Sequence, residues 1–239
     1  MNLKLKVILI FFSFNSVFIY GAEKYNWQRF SGKWEIQNSR LIESNATAAP
    51  WNYYELLNNN SIISIHPYND YSTFNYKMEI FDRVNSPAEV SASFNITSDD
   101  RQWYYHIYAF KFTGGFWGIN NVSLIHSDRA DKSKPFSAKN NTFIKIINTA
   151  DLKLSYGKEY DCRIEFEDNK VSLFINNKIA ISGILPSANH NGRVAFSTKN
   201  VKLAIDDVEI KQQDKIIFKD DFSVNSIYVK MLKAKKETE

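Results

Sequence analysis

The chain has 239 residues, with 30 Lys and Arg against 26 Asp and Glu; it holds 13 Tyr, 18 Phe and 5 Trp but only 8 Gly, 5 Pro and a single Cys. The positive excess sits at the ends: with Lys4 and Lys6 set aside, and with them the four Lys and two Glu of residues 230–239, the body is balanced. A balanced body excludes the clustered basic face of a nucleic-acid-binding domain, and one cysteine excludes an intrachain disulfide, so the fold must stand on its apolar core.

Residues 1–21 read as a signal peptide: Lys4 and Lys6, the apolar run "VILIFFSFNSVFIY" (7–20), then the small residues Gly21 and Ala22. The run is too short and too interrupted by Ser and Asn to span a bilayer comfortably, so no membrane span is expected after cleavage. The mature chain is therefore expected to be secreted, periplasmic or at the cell surface, with one all-β domain over 22–223 and a basic C-terminal tail over 224–239.

The domain opens on "GKWEIQNSRL" (32–41), where Trp34 and Ile36 alternate with polar Glu35 and Gln37 before a turn at Asn38-Ser39. Strands are expected at 73–81, 89–97, 101–112, 116–126, 142–148, 159–167, 170–176, 178–182, 193–198, 201–210 and 215–223. All are rich in Phe, Tyr, Ile and Val, and many alternate. Asp168-Asn169 and Asn176-Asn177 supply residues that tolerate positive φ in two-residue hairpin loops, and Gly114-Gly115 supplies a turn. Asp206-Asp207 breaks the alternation of the 201–210 strand and predicts a bulge. Cys162 alternates with Tyr160, Ile164 and Phe166 and is expected in the core. A dozen short strands without a strand–helix rhythm predict an antiparallel β-sandwich or barrel.

The order of these pieces is more specific. "FSGKWEIQNSRLIES" near the start is followed far downstream by "LKLSYGKEYDCRIEFEDNKVSLFINNKIAISG", then "NGRVAFSTKNVKLAIDDVEI" and "DDFS". This order resembles the concanavalin A-like (laminin G and glucanase-type) jelly rolls of secreted bacterial proteins, over roughly 26–223 and best over 156–210. The resemblance implies a two-sheet antiparallel jelly-roll sandwich, and it makes Trp34 a core anchor.

It also implies that an enzyme of this kind would be a glycoside hydrolase, often with E-x-D-x-x-E on one strand as nucleophile, helper and general acid. Glu159-Tyr160-Asp161 begins that motif, but Ile164 stands where the second Glu belongs. No catalytic residue is assigned on this basis. An enzyme reading, as glycoside hydrolase or lyase, would have to use acids from separate strands, with Glu79, Asp82 and Glu89 flanking His106 and Tyr108. The four His show no zinc spacing, so no metal site is assigned and no cofactor is expected. Calcium, common among the relatives, has only loop oxygens such as Asp99, Asp100 and Asp128 to draw on.

The aromatic residues point to binding. In "RQWYYHIYAFKF" (101–112), Tyr104, His106 and Tyr108 share one side and are expected on a wet concave face, where rings stack on sugars and their polar groups reach hydroxyls. Trp51, Tyr53 and Tyr54 in a loop, and Trp117 beside the glycine pair, complete the candidate ligand-binding set. The expected function is a non-catalytic jelly roll that binds glycan, or an envelope protein partner, through an aromatic face. A structural subunit of a periplasmic or cell-surface assembly, such as a spirochaete flagellar sheath, is the alternative.

Overall fold

The computed structural model describes residues 25–29, 32–44, 60–83, 85–98, 104–129, 142–188, 190–224 and 227–228, and among these it holds strands and no helix. One sheet runs β16 (Ile227–Tyr228), β1 (Trp27–Arg29), β4 (Asn60–Ser64), β13 (Arg193–Lys199), β6 (Ala88–Ser98), β7 (Tyr104–Gly114), β8 (Ile119–Arg129), β9 (Thr142–Leu154). The other runs β12 (Lys178–Ile184), β11 (Lys170–Ile175), β10 (Glu159–Glu167), β5 (Thr73–Arg83), β14 (Val201–Gln212), β3 (Arg40–Glu43), β2 (Trp34–Gln37), with β15 (Lys215–Asp220) also on β14. Pairing is antiparallel apart from β1 with β16.

Alternation drives the sheets together. On β10, Tyr160, Cys162, Ile164 and Phe166 are buried while Glu159, Asp161 and Glu167 are exposed. The inner faces meet through aromatic rings. Phe196 of β13 lies 5.7 Å from Phe74 and 5.1 Å from Tyr76 of β5, and Phe94 of β6 lies 5.2 Å from Phe166 of β10. Burying such a side chain stabilises the fold by about 1.5–3 kcal/mol. Trp34 is 2% exposed within this core, as the resemblance implies.

The turns follow their residues. Asn38 and Ser39 both take positive φ, as do Asn176 and Asn177, which matches the twist of a two-residue hairpin. The pairing of β14 with β5 shifts register between Asp206 and Glu209, and Asp207 has φ 46°, so the predicted bulge is present. Gly192 has φ +134° and bridges Tyr68; a side chain there would press on the Ile96 backbone.

Several expectations change: β1 and β4 are strands the sequence reading does not include, and β9 runs on to Leu154 where a strand ending at 148 is expected. The strand predicted over 116–126 begins at Ile119, because Phe116, Trp117 and Gly118 turn the chain and the register with β7 opens at Gly114–Ile119. The segment predicted as tail from 224 contributes β16, where Ile227 is buried and pairs with Trp27.

One carboxylate joins the first and last stretches of the described residues. Asp220, 6% exposed, accepts hydrogen bonds from Trp27 Nε1 and Asn26 Nδ2, both at 3.0 Å, and from the Phe222 backbone at 2.9 Å. Trp27 packs on Phe196, Phe218 and Phe222. Asp220→Ala leaves buried donors without a partner and is expected to cost about 3 kcal/mol in urea unfolding. Asp220→Asn keeps an acceptor oxygen and is expected to cost less than half of that; equal losses would refute the role of the acceptor.

Candidate functional site

Strand β7 does not carry the predicted wet face. Tyr108 is 3% exposed and lies between the sheets with Phe110 and Phe112, stacked on Phe94 at 6.0 Å and on His126 at 4.4 Å. His106 is half-buried beside it, with Nδ1 3.2 Å from His126 Nε2. The physical reason is the alternation itself: the side that ends in Phe110 and Phe112 is the more apolar one, and it takes Tyr108 and His106 inward with it. At its described residues Ile107 and Ala109 the opposite side of β7 is no open platform either. Ile107 and Ala109 join Ile63, Ile96, Ile125 and Ala195 in a second buried cluster on the outer face of the sheet. Trp51, Tyr53, Tyr54 and the side chain of Tyr104 lie outside the described residues.

The proposed acids are not brought together. Glu89 stands opposite Thr113, at the far end of β7 from His106, and is held by Lys111 at 3.0 Å. Glu79 is on the other sheet, paired with Arg40 at 2.8 Å, and Asp82 is exposed at the end of β5. Among the described residues no group of three or more His, Cys, Asp or Glu could hold a metal ion.

Trp117 is different. It is 88% exposed and Phe116 is 66% exposed, and they are the large aromatic side chains exposed among the described residues. Both line a groove of about 410 Å³ with Gly118, Asn120, Lys153 and Ser155. The β7–β8 turn is held from within and from outside. Gly115 N donates to Gly118 O at 3.0 Å, and the Tyr156 hydroxyl donates to Gly115 O at 2.8 Å. Gly118 has φ +146°, and a Cβ there would collide with the Leu154 carbonyl, so the turn seats tightly on the end of β9. The Arg83 guanidinium stands over the Phe116 ring at 4.2 Å, a cation–π contact that fixes the ring. Partial burial raises the Tyr156 phenol above its ordinary value, opposed by nearby Arg83.

A second groove, of about 230 Å³, lies on the outer face of the other sheet and includes Asn75, Lys77, Asp161, Arg163, Asn177 and Asp207. Its cations are already engaged: Lys77 pairs with Asp207 at 2.8 Å, and Arg163 pairs with Glu165 at 2.7 Å and donates to Asn177 at 3.1 Å while lying over Phe174. It offers no free aromatic surface, so the Trp117 groove is the candidate site. Sequence reasoning found Trp117 but missed Arg83, Asn120, Lys153 and Tyr156. The G-G-F-W-G spacing signalled the turn; nothing in the sequence pointed from it to Lys153.

The fold is that of the concanavalin A-like jelly rolls. It is similar to the carbohydrate binding module CBM66 from Bacillus subtilis, with a TM-score of 0.55 and 13% identity over 79% of this chain and 97% of that one. It is also similar to a Bacillus subtilis protein of unknown function with a galectin-like fold, with a TM-score of 0.52 and 12% identity over 78% of this chain and 89% of that one. No protein-family model matches the chain, and no curated protein matches its sequence.

Cys162 is 3% exposed, and burial pushes its thiol up to about 12. The native protein is expected to leave a chromogenic disulfide reagent unreacted at pH 8 and to release one thiol equivalent on unfolding. Rapid labelling of the native state would show that the core around β10 opens.

Proposed function

We propose that the chain is a secreted or envelope-located glycan-binding module that holds a sugar ring against Trp117. The observation that carries this reading is the exposed indole on a braced turn, beside a groove with polar groups at its rim. A large aromatic surface left in water is unfavourable unless something covers it, and an indole stacks well on the apolar face of a sugar. The likeness to a carbohydrate binding module supports the reading at the level of fold. Fold alone does not set function, so the weight rests on the site. Binding is favoured over hydrolysis because Glu79, Asp82 and Glu89 do not face one cleft, and two of them are tied to cations.

Calorimetric titration against a panel of plant, algal and bacterial oligosaccharides tests this directly. At least one is expected to bind, and Trp117→Ala is expected to weaken it tenfold or more, about 1.4 kcal/mol, without lowering the melting temperature. Binding that survives the substitution would move the site elsewhere.

A second reading, a subunit of an envelope assembly, is favoured by Ile146, Ile179 and Ile184, all exposed on the outer strands β9 and β12. Among the described residues β9 and β12 are the last strands of their sheets, and unpaired strand edges with apolar side chains invite pairing with another chain. Sedimentation of the protein from native extracts distinguishes the two: a discrete complex that dissolves with Ile184→Lys supports assembly, and a monomer removes it.

A further inference from the structure

Resting on the glycan-binding reading, we propose that the Trp117 groove selects sugars bearing a carboxylate or sulfate group. None of the residues that line the groove carries a carboxylate, and its one charged side chain is that of Lys153, which is exposed. A second positive group stands behind it, the Arg83 guanidinium over Phe116. Among the described residues neither cation has a carboxylate within ion-pair distance. This sets them apart from Arg40, Lys77 and Lys111, whose charges are answered by Glu79, Asp207 and Glu89.

The acids nearest along the strands are Asp82, which precedes Arg83, and Asp151, which precedes Lys153 by two positions and stands opposite Asn121. Neither lines the groove. Asp82 acts on Tyr156 in the sense opposite to Arg83, so the positive potential at the turn is reduced but not answered by a direct pair.

The donor balance points the same way. The Lys153 ammonium, the one charged group of the lining, only donates hydrogen bonds. A neutral sugar hydroxyl is held best where acceptors and donors alternate, and here the side-chain acceptors of the lining are the Asn120 amide and the Ser155 hydroxyl. An anionic substituent accepts several N–H bonds at once and neutralises the unanswered charge, which makes each contact stronger than one to a neutral hydroxyl. Trp117 supplies the ring surface, Lys153 the charge, and Arg83 acts as a positioning residue through Phe116.

Three probes compared by calorimetry test the proposal: an oligogalacturonate, an oligosaccharide of a sulfated galactan, and a neutral β-glucan hexasaccharide. The carboxylated or the sulfated probe is expected to bind about tenfold more tightly than the neutral one, and which of the two wins names the source of the charge. Its affinity is expected to fall as salt rises from about 50 mM to about 500 mM, as screening requires. Lys153→Met, which keeps the apolar stem, is expected to bring acidic and neutral probes to within about threefold of each other. Arg83→Lys, which keeps the charge but not the stack, is expected to weaken both classes alike.

Equal affinity for neutral and acidic probes overturns the proposal while leaving Trp117 as a sugar platform. So does an undiminished preference in Lys153→Met, or equally tight binding of a mixed-sequence oligonucleotide. Failure of every oligosaccharide to bind overturns both readings together.

Discussion

The Asp220 carboxylate holds together what the chain would otherwise leave apart. Its three donors come from the first described strand, the residue before it and the turn just after β15. Trp27 belongs to one sheet and Asp220 to the other, so a single anion spans the sandwich at the place where its ends meet. The indole it grips is fully buried and touches Phe196, which in turn meets Phe74 and Tyr76. The aromatic core is thus anchored at a polar point with a fixed direction. That anchoring matters because apolar burial by itself is non-directional and would tolerate other registers. β16 completes the closure by adding Ile227 beside Trp27.

A core built this way decides which surfaces remain for function. β7 lies inside its sheet, flanked by β6 and β8, and its alternation commits Tyr108, Phe110 and Phe112 inward. The other side of the strand is closed by small and branched residues around Ala109 and Ala195. Aromatic wealth in a central strand is therefore spent on packing. Surface that remains aromatic must come from a turn, where the period of two no longer binds each side chain to a face. Phe116 and Trp117 occupy such a turn.

The fold was legible because its signals are local. The alternation of Tyr160, Cys162, Ile164 and Phe166 marks β10 to the residue, Asn38-Ser39 and Asn176-Asn177 mark hairpins by their tolerance of positive φ, and Asp206-Asp207 marks the bulge. The site was less legible because it is assembled across the chain. Periodicity tells which residues share a face but not which face is inside, and for β7 the polar atoms of Tyr108 and His106 pointed to the wrong choice. In the structure those polar rings are absorbed by stacking and by the contact between the two imidazoles. Lys153 and Tyr156 reach the Trp117 turn only because β9 runs antiparallel to β8 and ends beside it, a relation set by sheet topology.

The bracing of that turn bears on what its exposed aromatic surface would cost to use in binding. An indole on a loose loop loses conformational freedom when a ligand orders it, and this loss is subtracted from the binding free energy. Here the backbone is fixed before any ligand arrives: Gly118 is pressed to Leu154, Gly115 is held on both sides, and Phe116 is stacked under Arg83. Two hydrogen bonds, a cation–π contact and a tightly seated glycine hold this backbone, so a ligand that met Trp117 would not have to order it.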